Sequence, residues 1–249
     1  MLPQLLTHAA HALPSQCMVC RAWGPERVCN ACTSRFSRPV ARCSTCALPL
    51  AGDAAQCGEC LLQPSALDAC VAVVDYGYPW DGLLAQLKFS GQSYSGGAGP
   101  NASVARALAD TMRPLPAVQT VLQRADFIVP IPLSNQRLRQ RGFNQALEIA
   151  KHLLGPGAVA RAKLRPQLLL RARDTAPQVG LPRAERLRNM RHAFAVEPSL
   201  AGMVQGASLV LVDDVTTTTA TLCAAALALR AAGAAQVVGL VFARTLASV

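Results

Sequence analysis

The chain has 249 residues, of which 51% are hydrophobic and 4% aromatic, and its formal net charge is +10. This length allows one good core with an accessory module, and the scarcity of aromatic residues favours helices on a parallel sheet over a β-sandwich. No run of about eighteen apolar residues predicts a membrane span, and residues 1–14 lack the basic and apolar regions of a signal peptide. We therefore expect a cytoplasmic protein without a membrane span.

Cysteines dominate the first quarter of the chain. Eight of the ten form C-x-x-C pairs, which are Cys17/Cys20, Cys29/Cys32, Cys43/Cys46 and Cys57/Cys60. Two such pairs close a tetrahedral four-sulfur site, for which zinc is the natural metal. A disulfide framework would need an oxidising compartment, and iron–sulfur ligands usually have other spacings. We predict two structural zinc sites in residues 13–62, with either sequential pairing (17/20/29/32 and 43/46/57/60) or a cross-brace.

Strands and helices alternate through the rest of the chain. The predicted strands are 71–76, 126–132, 164–170, 208–212 and 236–243. The predicted helices are 80–89, 102–112, one that ends at Leu154, and 219–232. Residues 91–100 form a glycine- and serine-rich loop, and 171–190 form a long basic loop. Alternation of this kind predicts βαβ units and an α/β domain with a mainly parallel sheet over residues 70–249.

Positive charge is concentrated in one part of the sequence. Between Arg137 and Arg191 there are 13 Lys or Arg and 3 Asp or Glu, so this part carries +10 and the remainder sums to zero. Such a region favours phosphorylated or nucleic-acid partners, although a solvated surface would give the same count. Single-stranded DNA is therefore one candidate partner.

The segment 209–221 is the most informative part of the chain. A hydrophobic run ends at Asp213 and Asp214, and a threonine-rich turn leads into an alanine-rich helix. If the strand ends at the acids, both carboxylates can accept hydrogen bonds from ribose hydroxyls and help to hold Mg²⁺. The amides and hydroxyls of Thr216 to Thr221 then suit a phosphate at a helix amino terminus. In the alternative interpretation, the acids and threonines only cap the helix.

Several short motifs occur in a fixed order along the chain. They are the four C-x-x-C pairs, Leu87-Lys88-Phe89, Pro130-Ile131-Pro132-Leu133, Arg141-Gly142-Phe143-Asn144-Gln145, Thr175 and Gln178 with Arg186 and Asn189, Ala193-Phe194, and Val212-Asp213-Asp214-Val215. The acid–threonine segment resembles the phosphoribosyl-diphosphate (PRPP) motif of type I phosphoribosyltransferases. From about Cys17 onward, the chain is similar to the ComF family of competence-associated, phosphoribosyltransferase-like proteins.

This resemblance implies a type I phosphoribosyltransferase-like domain behind an amino-terminal double zinc ribbon. It implies that Asp213 and Asp214 are the catalytic acids, at the ribose hydroxyls and Mg²⁺. It places Thr216, Thr217, Thr218, Thr219, Ala220 and Thr221 around the PRPP 5-phosphate. Residues 133–141, with Arg137 and Arg141, would meet the pyrophosphate, and residues 171–190, with Arg171, Arg173 and Arg186, would form a lid.

One residue departs from the family's pattern. Thr219 stands where the pattern has Gly, which can adopt unusual dihedrals and lets the backbone approach a phosphate closely. A β-branched residue is stiff there, so we expect weaker phosphate binding or a different course of the loop.

Three functions are compatible with these features. The first is Mg²⁺-dependent transfer of phosphoribosyl from PRPP to an unidentified nitrogen acceptor, linked to DNA uptake. The second is a catalytically silent competence factor that binds PRPP and single-stranded DNA, and the third is a structural adaptor with a vestigial site. Other competence proteins are further candidate partners.

Overall fold

We describe the protein from a computed structural model, which covers residues 15–89, 102–155, 157, 162–171 and 193–246. Its strands are β1 (Ser15–Gln16), β2 (Trp23–Gly24), β3 (Ala69–Asp75), β4 (Phe127–Pro130), β5 (Leu169–Arg171), β6 (Phe194–Val196), β7 (Ser208–Thr216) and β8 (Gln236–Arg244). Its α-helices are α1 (Asn30–Phe36), α2 (Gly58–Leu62), α3 (Trp80–Phe89), α4 (Ala102–Met112), α5 (Pro116–Arg124), α6 (Asn135–Arg141), α7 (Gln145–Leu154) and α8 (Ala220–Ala231). A 3₁₀ helix spans Pro198–Met203.

A four-stranded parallel sheet forms the centre of the protein. Its strand order is β3-β8-β7-β4, and each neighbouring pair is parallel. Parallel neighbours need a crossover connection, which the intervening helices supply. The predicted α/β class with a mainly parallel sheet is confirmed. The division at residues 13–62 and 70–249 stays a prediction.

The side chains of β7 point alternately to the two faces of the sheet. Val210 and Val212 pack on one face, with α3, α4, α7 and part of the first cysteine module. Leu209 and Leu211 pack on the other face, with α8, β5 and β6. Successive strand residues point to opposite faces, so the same alternation determines the face of the sheet on which the side chains of Asp213 and Asp214 lie.

Several sequence predictions need correction. The strand predicted over 164–170 is wrong, because Leu164 makes a single bridge to Ile128 and only β5 is a strand, paired antiparallel with β6 outside the main sheet. The helix predicted to end at Leu154 is confirmed as α7. The preceding helix α6 was not predicted, and it is separated from α7 where Gly142 adopts a left-handed φ of 77° and Asn144 caps α7. Helix α5 was not predicted, although its first residue, Pro116, is typical of that position.

The two cysteine modules contact different parts of the domain. The indole nitrogen of Trp80 donates a hydrogen bond of 2.9 Å to the Phe36 carbonyl oxygen, which joins the first module to α3. The second module lies beside β3 and β8, where Cys70 N donates to Ser44 O at 2.8 Å and the buried Arg244 Nε donates to Cys46 O at 3.0 Å. No helix within the described residues is both long and apolar enough to cross a membrane.

Candidate metal centres and acid–threonine site

The eight paired cysteines form two separate clusters. Within each cluster the four sulfur atoms lie within 4.8 Å of one another, and the clusters are Cys17/Cys20/Cys29/Cys32 and Cys43/Cys46/Cys57/Cys60. The pairing is therefore sequential, and the cross-braced alternative is excluded. None of the eight cysteines forms a disulfide.

The sulfur spacing fits a tetrahedral metal. A zinc–sulfur bond of about 2.3 Å places neighbouring sulfurs of a tetrahedron about 3.8 Å apart. The Sγ atoms of Cys17 and Cys32 are 3.9 Å apart, those of Cys20 and Cys29 are 3.7 Å apart, and those of Cys46 and Cys57 are also 3.7 Å apart. Each cluster can therefore hold one zinc ion, as a double zinc ribbon requires.

Backbone amides lower the pKa of one cysteine thiol in each cluster. Burial alone would raise the pKa of the Cys17 thiol, but hydrogen bonds from backbone amides, first that of Cys29, lower it to about 6. Cys43 has the same arrangement, with Cys57 as the first donor, and its pKa is also lowered to about 6. A thiolate is the form that binds zinc, so these amides favour metal binding.

The acid pair lies inside a strand rather than after it. We expected the strand to end at Val212, but β7 continues to Thr216 because β8 is equally long and pairs with it as far as Arg244. Asp213 therefore follows the face of Leu211, and Asp214 follows the face of Val212. Strand β4 ends at Pro130, opposite Val212, so both acids border an edge of β7 that β4 does not cover.

Two cations from other elements act on the acid pair. Lys88 Nζ, near the end of α3, lies 2.9 Å from Asp214 Oδ2. Burial lowers the pKa of Arg141, while Asp214 and then Asp213 act to raise it. Burial, and then the Asp214 carboxylate, raise the pKa of Asp213 well above its ordinary value of 3.8. The carboxylates and cations thus form one group, to which α3, α6 and β7 contribute.

The threonine turn joins β7 to α8. Thr216, Thr219 and Ala220 are buried, Thr218 and Thr221 are half-buried, and Thr217 is exposed. Thr219 has a φ of 56° and a ψ of 5°, which is the left-handed conformation. Its amide donates to Thr216 Oγ1 at 3.2 Å, and its hydroxyl donates to Thr218 O at 2.6 Å. Thr219 thus adopts the backbone conformation that favours glycine, while weaker phosphate binding at this position stays a prediction.

The predicted pyrophosphate residues have different surroundings. The segment predicted as a pyrophosphate loop contains α6, whose residue Arg137 is exposed. Arg141, the last residue of α6, donates to Gln145 Oε1 at 2.9 Å. Arg171, the first predicted lid residue, lies in β5 with its guanidinium carbon 5.2 Å from the centre of the Phe194 ring. Arg173 and Arg186 lie outside the described residues.

The sequence assigned no role to two residues of this region. Lys88 was noted only as part of a motif, and its ion pair with Asp214 joins residues 126 positions apart (214 − 88). Gln145 is 2% exposed, and its side-chain nitrogen has no hydrogen-bond partner among the described residues. Only the fold shows that Lys88 lies beside Asp214, whereas Gln145 follows Arg141 by four positions and accepts a hydrogen bond from it.

Comparison with known proteins places these features in a family. No family model matches the chain. The chain is similar to DNA utilization protein YhgH of Salmonella typhimurium (strain LT2), with 35% identity over 234 residues. It is also similar to YhgH of Escherichia coli (strain K12), with 34% identity over 231 residues. Each of these matches covers 90% of this chain and 95% of the relative. It also resembles Competence protein F of Haemophilus influenzae, with 28% identity over 163 residues, which are 66% of this chain and 67% of that protein. The chain belongs to the ComF family.

Proposed function

We propose that the protein binds PRPP at the acid–threonine site, with Mg²⁺ as the accompanying cation. The observation that carries this proposal is the adjacency of Asp213 and Asp214 to the turn that begins α8. The first amides of a helix have no partner within it, so the turn offers donors to a phosphate at the positive end of the helix dipole. Carboxylate oxygens accept hydrogen bonds from sugar hydroxyls and suit Mg²⁺ as ligands.

The reaction that this site supports best is phosphoribosyl transfer. The C1–oxygen bond of PRPP breaks, its electron pair leaves with pyrophosphate, and a nitrogen acceptor supplies the pair for the new C1–nitrogen bond and gives up its proton to solvent. Asp213 and Asp214 follow opposite faces of β7, but both border the edge of the strand that β4 leaves uncovered, and from that edge they would hold the ribose. Arg141 would neutralise charge on the departing pyrophosphate. Positioning and electrostatics contribute the rate enhancement, without a covalent intermediate on the protein.

Calorimetry tests PRPP binding directly. PRPP with Mg²⁺ should bind the wild-type protein, and the double variant Asp213→Asn, Asp214→Asn should lose that binding. Asp53→Asn, on an exposed loop of the second cysteine module, is the matched control and should bind as the wild type does. Unchanged affinity in the double variant would remove the assignment of the site.

A role linked to DNA uptake is supported by the relatives and by one surface. The relatives carry the names DNA utilization protein and Competence protein F. Arg35, Phe36 and Tyr78 form an aromatic–arginine surface: the Arg35 guanidinium carbon lies 5.3 Å from the centre of the Phe36 ring, and the Phe36 and Tyr78 ring centres are 5.5 Å apart. Tyr78 is 75% exposed. Aromatic rings beside a cation suit the bases of single-stranded DNA.

Fluorescence anisotropy with an oligothymidylate tests this second function. Tyr78→Ala should weaken binding by about tenfold, since stacking of one base contributes about 1–3 kcal/mol. Leu62→Ala, which also removes an exposed apolar side chain, is the control and should not weaken it. Affinity that does not depend on salt, or that Tyr78→Ala leaves unchanged, would exclude this surface.

Pyrophosphate release distinguishes an active phosphoribosyltransferase from a catalytically silent competence factor that only binds PRPP. We would measure pyrophosphate release from PRPP with a panel of nucleobases and amines, with and without single-stranded DNA. Release that depends on one acceptor and is lost in the double Asn variant establishes the transferase. PRPP binding without release under all of these conditions favours the silent factor.

A further inference from the structure

Lys88 is a charged side chain of the acid site that the phosphoribosyl motif itself does not include. Its ammonium group approaches Asp214 Oδ2 to 2.9 Å, and the two side chains are only 23% and 13% exposed. By contrast, the Lys151–Glu148 pair, at 2.8 Å, lies within one helix and has a lysine side chain that is 51% exposed. Lys88 therefore loses more of its hydration than an ordinary surface lysine.

Stability alone is a weak reason for such a pair. Removing two charges from water costs free energy that their attraction offsets only in part, so a half-buried ion pair contributes little to folding. The charges of Asp214 and Asp213 also act on Arg141, so this site combines negative and positive charge. A ligand that carries both hydroxyl groups and phosphate groups can use the acids and the cations together.

We infer that Lys88 is a ligand-binding residue of this site, which binds phosphate oxygens of a sugar diphosphate and competes with a divalent cation for Asp214 Oδ2. This inference rests on the proposed function, because it names the group that recognises the phosphates of that ligand. It has two consequences of opposite sign: Lys88 strengthens the binding of a phosphate ligand and weakens the binding of a divalent cation alone.

The opposite signs separate binding from a purely structural role. If Lys88 only stabilised the fold, its removal would lower the melting temperature and shift both affinities in the same direction or not at all. If it binds phosphate and competes for Asp214, its removal frees a carboxylate oxygen for the cation and deletes a donor to the anion. An arginine at this position would preserve the positive charge and the donors.

The test uses Lys88→Met, Lys88→Arg and the control Lys151→Met in the full chain. Inorganic pyrophosphate and PRPP are titrated by calorimetry, and Mn²⁺ alone is titrated by electron paramagnetic resonance. A charge-assisted hydrogen bond corresponds to about tenfold or more in affinity. We expect Lys88→Met to bind pyrophosphate at least about tenfold more weakly and Mn²⁺ severalfold more tightly, while Lys88→Arg and Lys151→Met stay within about threefold of the wild type for pyrophosphate.

The possible failures are distinguishable. If the wild type binds PRPP but Lys88→Met binds pyrophosphate and Mn²⁺ as the wild type does, the role of Lys88 is overturned and the proposed function stands. If the wild type binds pyrophosphate with the expected loss in Lys88→Met but does not bind PRPP, the proposed function fails and the phosphate contact stands. If Lys88→Met does not fold, the test depends on Lys88→Arg, which keeps the positive charge. Complete loss of pyrophosphate binding in Lys88→Arg would then overturn the inference. Wild-type protein that binds neither phosphate ligand overturns both.

Discussion

The left-handed backbone at Thr219 leads to a prediction about two substitutions at one position. Thr219 has a φ of 56°, a region in which a residue other than glycine is strained. Thr219→Gly and Thr219→Ala both remove the hydroxyl that donates to Thr218 O and the methyl group beside it. The two variants differ only in whether a Cβ remains, so their comparison isolates the backbone strain.

The magnitude follows from two opposing contributions. A residue with a Cβ in the left-handed conformation costs about 1–2 kcal/mol, while glycine loses about 0.5–1 kcal/mol because its unfolded chain is more flexible. Thr219→Gly should therefore be more stable than Thr219→Ala by about 0.5–1 kcal/mol. In a protein of this size that difference corresponds to about 1–4 °C in melting temperature.

Urea and thermal unfolding of both variants measure the difference. Ala224→Gly, within α8, is the control: its backbone is helical, so the same Ala-to-Gly change should lower stability by about 0.5–1 kcal/mol. The sign should thus reverse between positions 219 and 224. If Thr219→Ala is as stable as Thr219→Gly or more stable, the argument from backbone strain is wrong.

Three further predictions concern the charges, the metal and the contact between the first module and the sheet. The pKa of Asp213 is raised in the folded protein, so the folded protein holds this proton more tightly than the unfolded chain does. The free energy of unfolding should therefore fall as the pH rises above about 4. Urea titrations at several pH values should show a smaller fall for Asp213→Asn than for the wild type. Equal pH dependence in both proteins would contradict this. Cys46→Ser should reduce the zinc content from two ions per chain to one by elemental analysis, and a value that stays at two would exclude Cys46 as a ligand. Trp80→Phe removes the donor to the Phe36 carbonyl and shrinks a buried ring that packs on Phe242, so it should lower the free energy of unfolding by more than about 1 kcal/mol, and an unchanged urea midpoint would contradict this.

Local patterns predicted much of this fold because they depend on local physics. The helix at 102–112 has the predicted bounds, and the hydrophobic run at 209–212 does form a central strand. The cysteine spacing predicted two metal sites, since two thiolates three positions apart can bind the same ion. The order of the strands in the sheet was not predictable in this way, because it depends on contacts between distant parts of the chain.

The candidate site shows where sequence reasoning fails. Both acids were found, but the end of their strand was misplaced by four residues (216 − 212), because that end depends on the length of β8 rather than on the residues themselves. The proximity of Lys88 to Asp214 arises from the packing of α3 against the sheet, which no local pattern encodes. Thr219 was recognised because a family pattern identified the position, and the backbone angle then gave the physical reason.

The strand order also bears on how the protein folds during synthesis. Among the described strands, β3 pairs only with β8, which follows every other strand of the sheet in chain order. The eight clustered cysteines all precede β3 in the chain, whereas β3 has no strand partner until β8 ends, 169 residues later (244 − 75). In the meantime its apolar residues and backbone groups are available to chaperones or to other chains. A nascent chain stalled before β8 should therefore have all of its cysteine ligands but an incomplete sheet, and its second module should lack the hydrogen bond from Arg244.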